Sequence, residues 1–98
     1  MIVFALFVLL SSASGGLLGE WKDCDTNDPH ITKIAKEALA SMTICPVMLT
    51  VVSAKCQLVE GTKYDIKLTF APDLRTIHEL VVVEQPWKDD PIVVESYS

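Results

Sequence analysis

The sequence predicts an α+β fold in which one helix packs on a curved antiparallel β-sheet of four to five strands. Three observations predict it. A single segment beginning near residue 28 carries apolar residues at helical spacing. Beyond residue 47 the chain is strand-like, alternating and rich in β-branched residues. The links between those stretches are short and turn-like, which makes consecutive strands antiparallel neighbours. A chain of 98 residues holds one domain at most, so helix and sheet share one core.

The first stretch is expected to stand apart from that domain. Met1–Leu10 reads MIVFALFVLL and holds no charge. An apolar run of about ten residues is too short for a bilayer, which takes roughly 20, but it suits the central region of a secretory signal. Small residues follow in SSASGG, and cleavage after Ala13 or Ser14 has suitable small residues upstream. Residues 1–14 are therefore read as a signal peptide and residues 15–98 as the domain. The protein is expected to be secreted and extracellular, with no membrane association once the signal is removed. The signal holds no charged side chain, so the formal net charge of −5 stays with the domain. Eight basic residues scattered among 13 acidic ones make no phosphate-neutralising patch, which argues against nucleic acid.

Residues 15–28, GGLLGEWKDCDTND, are glycine-rich, then polar, and lack periodicity. They read as a flexible arm entering a short strand. At the helix, Asp28 can act as N-cap, and Pro29 suits the first position, where its missing N–H is not needed. Ile31, Ile34, Ala35, Ala38, Leu39 and Met42 recur on one face, with Lys33, Lys36 and Glu37 on the other. The helix should end near Met42, with Pro46 soon after because proline cannot continue the hydrogen-bond ladder. Strands are expected at Val47–Leu58, Thr62–Ala71, Thr76–Glu84 and Pro91–Tyr97. Val59–Gly61, Pro72–Arg75 and Gln85–Asp90 connect them, and the first is the tightest. In the second of these strands Tyr64, Ile66, Leu68 and Phe70 share one face, while Lys63, Asp65, Lys67 and Thr69 share the other. With the helix on one face, binding or chemistry falls to an edge, a loop or the free face.

Cys24, Cys45 and Cys56 are an odd set for a secreted chain, so at most one internal bridge forms and one thiol is left over, buried or paired with another molecule. A disulfide-linked dimer is one outcome, and a domain-swapped dimer is another form such a small domain can take. There is no CxxC pair, and His30 and His78 are far apart, so no zinc signature is present. No metal or other cofactor is expected.

Three separated pieces fall in the order found in the cystatins, inhibitors of papain-like cysteine proteases. Leu17-Leu18-Gly19 resembles that family's N-terminal arm, in which hydrophobic residues precede a glycine. Gln57-Leu58-Val59-Glu60-Gly61 resembles its QxVxG hairpin, and Pro86-Trp87 its second hairpin. The surrounding VVSAKCQLVEGTKY, residues 51–64, is similar throughout, and DPHITKIAKEAL, residues 28–39, occupies the place of the family helix. The likeness spans nearly all of residues 15–98.

That resemblance implies a cystatin-like fold and a reversible, tight-binding inhibitor whose partners are papain itself or cathepsins of the L, B or S type. It implies no enzyme and no catalytic residue. The arm and both hairpins would form an apolar wedge along one edge of the sheet. Leu17 and Leu18 would enter substrate-side pockets, and Gly19 would let the arm bend past the catalytic thiol. Val59 and Gly61, with Gln57, Leu58 and Glu60 completing their hairpin, would press on the cleft floor. Trp87, supported by Pro86, would cover the other side as a rigid aromatic anchor. Each piece also has a plain structural use. Gly61 can serve a turn that needs positive φ, Gln57 and Val59 can be ordinary strand residues, and Trp87 can belong to the core.

The chain departs from the family in three respects. Secreted cystatins usually carry two disulfides in their second half, whereas all three cysteines here lie at or before Cys56, a build nearer the stefins. Cys45 and Cys56 would be roughly 36 Å apart along one strand at about 3.3 Å per residue, far beyond disulfide reach. Pairing of the arm with the long strand would bring Cys24 to the Cys56 end, so Cys24–Cys56 is preferred and Cys24–Cys45 is the alternative. Glu60 stands where a small residue is usual, and a carboxylate at a cleft must be desolvated or kept at the rim. The helix-to-strand linker is short and lacks asparagine, so a legumain-inhibiting site is not implied. A cystatin-fold protein without inhibitory activity, serving as a binding, venom or antimicrobial component, is the second reading. An enzyme would need Cys45 or Cys56 activated by His30 or His78, and nothing in the sequence brings them together.

Overall fold

A computed structural model describes residues 19–98; the expected signal segment and the arm residues Leu17 and Leu18 lie outside the described residues. Asp28 caps the helix as expected, its carboxylate accepting the His30 N–H at 2.9 Å. The helix, α1, runs Pro29–Ser41 and buries Ile31, Ile34, Ala35, Ala38 and Leu39. Lys33 and Glu37 lie exposed on its wet side, 3.9 Å apart.

What stops α1 is not Pro46. The Thr43 N–H donates to Ala40 C=O at 2.9 Å, and Ile44 N–H reaches back to Leu39 C=O at 2.8 Å. Thr43 is left-handed, with φ 61°. These are the paired reversed hydrogen bonds of a Schellman cap, normally built on glycine, and Ile44 adds the accompanying apolar contact by packing on the core.

Five strands follow the chain order across one antiparallel sheet: β1 Lys22–Asp23, β2 Val47–Val59, β3 Gly61–Ala71, β4 His78–Glu84 and β5 Ile92–Tyr97. The short strand expected from the arm is β1, paired to Cys56 and Lys55 of β2. β4 begins two residues later than the pattern predicts. The Asp73 carboxylate explains the delay, because it accepts from Arg75 N–H at 3.0 Å and Thr76 Oγ1 at 2.5 Å and so prolongs the turn. Pro91 likewise stays outside β5, its carbonyl accepting the Gln85 N–H at 2.7 Å.

The core is one layer between α1 and the sheet. Tyr64, Ile66 and Leu68 of β3 point inward as predicted, joined by Ala54, Leu80 and Val82, with Phe70 packed at the margin. Thr69, placed by alternation with Lys63, Asp65 and Lys67, is buried where Lys67 is exposed. It pairs with Thr50, which sits between two register irregularities of β2, at Val47/Thr50 and Val51/Ser53. Such bulges add residues to one strand and bend it over its partner. Met48, inside the first of them, has φ 58°. The preferred disulfide is present: Cys24 and Cys56 are bonded, with Cα atoms 6.0 Å apart, and Cys45 is free and exposed.

Candidate functional site

Register brings most of the singled-out residues to one end of the sheet. Val59 pairs with Gly61, so the β2–β3 turn has Glu60 alone at its tip. A turn that tight needs an unusual backbone, and Gly61 supplies φ 102°. Its neighbour on the next strand leaves no room for a side chain: a Cβ there would run into the Glu84 carbonyl oxygen and lie 2.9 Å from Gln85 Cγ.

The arm meets the same turn. Gly19 N–H donates to Leu58 C=O at 2.8 Å, and a Cβ on Gly19 would sit 3.1 Å from Leu58 Cβ. Close backbone approach is therefore what this glycine provides. The Cys24–Cys56 bond and the Cys24 N–H to Ala54 C=O hydrogen bond of 2.9 Å anchor the arm a few residues further on.

The β4–β5 loop completes the end. Lys88 N–H donates to Gln85 C=O at 3.0 Å, closing a β-turn with Pro86 and Trp87 at its centre. Proline presets the backbone of the second turn position, which fixes how the tryptophan is presented. Trp87 is 65% exposed and Leu58 66%, so neither serves the core. Gln57 and Val59 are half-buried on the strand, and Glu60 and Pro86 are exposed. Around these apolar groups the exposed charges are mostly acidic: Glu20, Glu60, Asp89 and Asp90, with Lys88 among them.

Four residues that the sequence did not assign to this end hold it together. Gln85 donates its side-chain amide to Glu60 C=O at 2.6 Å, linking the two turns. Glu84 Oε1 accepts from Tyr64 Oη at 3.2 Å and contacts His30 Nε2 at 3.0 Å, tying the first turn of α1 to β3 and β4. Burial first, then the Glu84 charge and its hydrogen bond, push the Tyr64 hydroxyl up to about 12. His30 and Glu84 are 54 residues apart, so no local motif carries the contact. The contact depends on the register that sets Thr62 opposite Glu84 and Tyr64 opposite Val82.

Elsewhere, on the face away from α1, Asp65 Oδ1 is buried without a hydrogen-bond partner among the described residues. Hydrogen bonding to Asp65 and then the Asp65 charge hold the neighbouring Glu79 carboxyl above its usual range. His78 stacks between Phe70 and Tyr97, with ring centroids at 4.8 and 5.6 Å, and its Nδ1 meets Tyr97 Oη at 3.3 Å. Cys56 is consumed by its disulfide. Among the described residues no group of three or more His, Cys, Asp or Glu could hold a metal ion, and no helix is long and apolar enough to cross a membrane. No family model, curated protein or solved structure matches this chain.

Proposed function

We propose that this chain is a secreted, reversible inhibitor of papain-like cysteine proteases of the cystatin kind, entering the target's cleft with one end of its sheet. One observation carries the reading. The glycine of the arm, the Gln57–Gly61 turn and the Pro86–Trp87 turn are hydrogen-bonded into a single end that exposes Leu58 and Trp87. An apolar end assembled from backbone-constrained turns suits insertion into a cleft, because little remains to be ordered on binding. The element order and the antiparallel order of the sheet are those the resemblance implies, and they support it. The Cys24–Cys56 bond suits an oxidising compartment, which supports secretion. On this reading the protein performs no catalysis, and Leu17 and Leu18 extend the wedge beyond Gly19.

Glu60 favours the second reading, a cystatin fold without inhibition, since its carboxylate stands exposed at the tip that would enter the cleft. Titration of papain and of a cathepsin L-type protease with the chain beginning at Gly15 separates the two. Stoichiometric, reversible loss of peptidase activity is the expected result. Folded protein that leaves both enzymes fully active at micromolar concentration would remove the inhibitor reading, and Glu60→Ala would then test whether the carboxylate is the cause.

A further inference from the structure

We propose that Gln85 is a positioning residue that clasps the β2–β3 and β4–β5 turns into one rigid docking unit, an inference that rests on the inhibitor reading for its consequence in binding. Its backbone N–H, its backbone C=O and its side-chain NH₂ are each engaged. Its N–H closes the β4–β5 loop on Pro91 C=O at 2.7 Å, and its C=O accepts Lys88 N–H at 3.0 Å to form the turn that presents Trp87. With the backbone held on both sides, the side chain crosses to the neighbouring turn. Its Cγ lies over Gly61, 2.9 Å from where a Cβ would stand, and its amide donates to Glu60 C=O at 2.6 Å.

The geometry assigns each part a task. The stem of Gln85 occupies the space that Gly61 leaves open, and the amide fixes the carbonyl at the tip of the turn. The spacing between Glu60 and Trp87 is then set inside the inhibitor rather than by the target. A side-chain bond between exposed groups adds little to global stability, because water replaces it readily. Its effect falls on binding, where a turn already in position avoids the ordering cost that a loose one would carry.

Chemistry offers a discriminating variant. Gln85→Glu keeps the shape but cannot donate to a carbonyl while ionised, whereas a protonated glutamic acid can, since its pKa lies near 4.3. The protein produced from its full sequence, Gln85→Ala and Gln85→Glu are compared on papain at pH 7 and at about pH 4, alongside thermal melting. Loss of one preorganising hydrogen bond is expected to weaken inhibition about tenfold in both variants at pH 7. Melting temperatures should stay within about 2 °C of the wild type, for an exposed bond of this kind. At about pH 4 the Gln85→Glu deficit should shrink toward wild type while the Gln85→Ala deficit persists. Equal inhibition by all three proteins at pH 7 would overturn the clasp, as would deficits that follow a common fall in melting temperature and ignore pH.

An independent readout needs no protease. By ¹⁵N relaxation the Glu60 and Trp87 amides of the wild type should be rigid, with order parameters near 0.85, and in Gln85→Ala they should fall below about 0.6. Unchanged order in Gln85→Ala would also overturn the clasp. A wild type that does not inhibit but loses tip order in Gln85→Ala would leave the clasp standing and remove only the inhibitor reading.

Discussion

Replacing Gly61 by alanine tests how the tip is built. Two costs add. An L-residue held at φ 102° bears roughly 1–2 kcal/mol relative to glycine. The new methyl also meets the Glu84 carbonyl oxygen and lies 2.9 Å from Gln85 Cγ, so β4 must retreat, at about 1–3 kcal/mol for overpacking of this kind. Alanine recovers about 0.4–1 kcal/mol by restricting the unfolded chain. The net loss is about 1–4.5 kcal/mol with a middle value of about 3, and for a domain this small each kcal/mol moves Tm by about 4–8 °C, so at that middle value melting should fall by roughly 12–24 °C. Circular dichroism melts and urea titration at neutral pH provide the assay. A synthetic chain with D-alanine at 61 is the control, since a D-residue favours positive φ and directs its methyl away from Glu84. Should Gly61→Ala melt within 2 °C of the wild type, or D-alanine prove as damaging as L-alanine, the account of this turn is wrong.

Removing the bridge with Cys24→Ala and Cys56→Ala frees a loop whose ends are 32 residues apart, worth about 3–4 kcal/mol by loop-closure entropy, and should lower the urea midpoint accordingly. A midpoint unchanged by both substitutions would count against that bridge. Thr43→Gly should raise stability by about 0.5–1 kcal/mol, read as a higher Tm, because Thr43 occupies the left-handed cap position at φ 61° where glycine bears no Cβ penalty. For Tyr64, the folded value of about 12 exceeds the unfolded 10.0, so the folded state keeps its proton longer and stability is lost as pH rises from 10 through 12. At full weight that is about 2.7 kcal/mol, and water screening near the hydroxyl reduces it to about 1–2 kcal/mol. Tyr64→Phe should flatten the alkaline limb of a urea-stability profile, and an unaltered limb would refute the assignment.

Legibility followed the range of the interactions. The start of α1 was written locally in Asp28 and Pro29, and the structure agrees. Its end near Met42 agrees as well, but the device that ends it was not legible, because the αL cap is filled by Thr43, a residue type with no left-handed preference, and the nearest visible breaker was Pro46. The strands were legible by alternation, but the late start of β4 depends on side-chain bonds from Asp73. The bulges of β2 left no mark in VMLTVVS, which contains no glycine or proline. At the candidate site, Gly19, Gln57, Val59, Gly61, Pro86 and Trp87 were marked out by motif and spacing. Gln85, Glu84, Tyr64 and His30 were not, since their contacts arise only once β2, β3, β4 and α1 are in register.

Constraint is distributed unevenly along the sheet, and this has a measurable consequence. At the Trp87 end the arm is held by a disulfide and the Gly19 hydrogen bond, the two turns are joined through Gln85, and α1 is tied in by His30 and Glu84. At the other end Val47, Met48, Leu74 and Ile77 are exposed, and β2 carries both of its irregularities. There the outer edge of β2 has no strand partner among the described residues, because β1 reaches only Lys55 and Cys56. Amides that point outward from such an edge depend on water alone, so they exchange through local fluctuation rather than global opening. Hydrogen exchange should therefore be fast at the outward-pointing amides of Val47–Ser53 and slow at the amides of Ala54–Cys56 and Tyr64–Leu68, where strands pair on both sides or the core lies behind them. Uniform protection along β2 would contradict this. The gradient places rigidity where the wedge is proposed to dock and leaves the distant end free to move, as expected of a domain whose binding depends on a preformed tip.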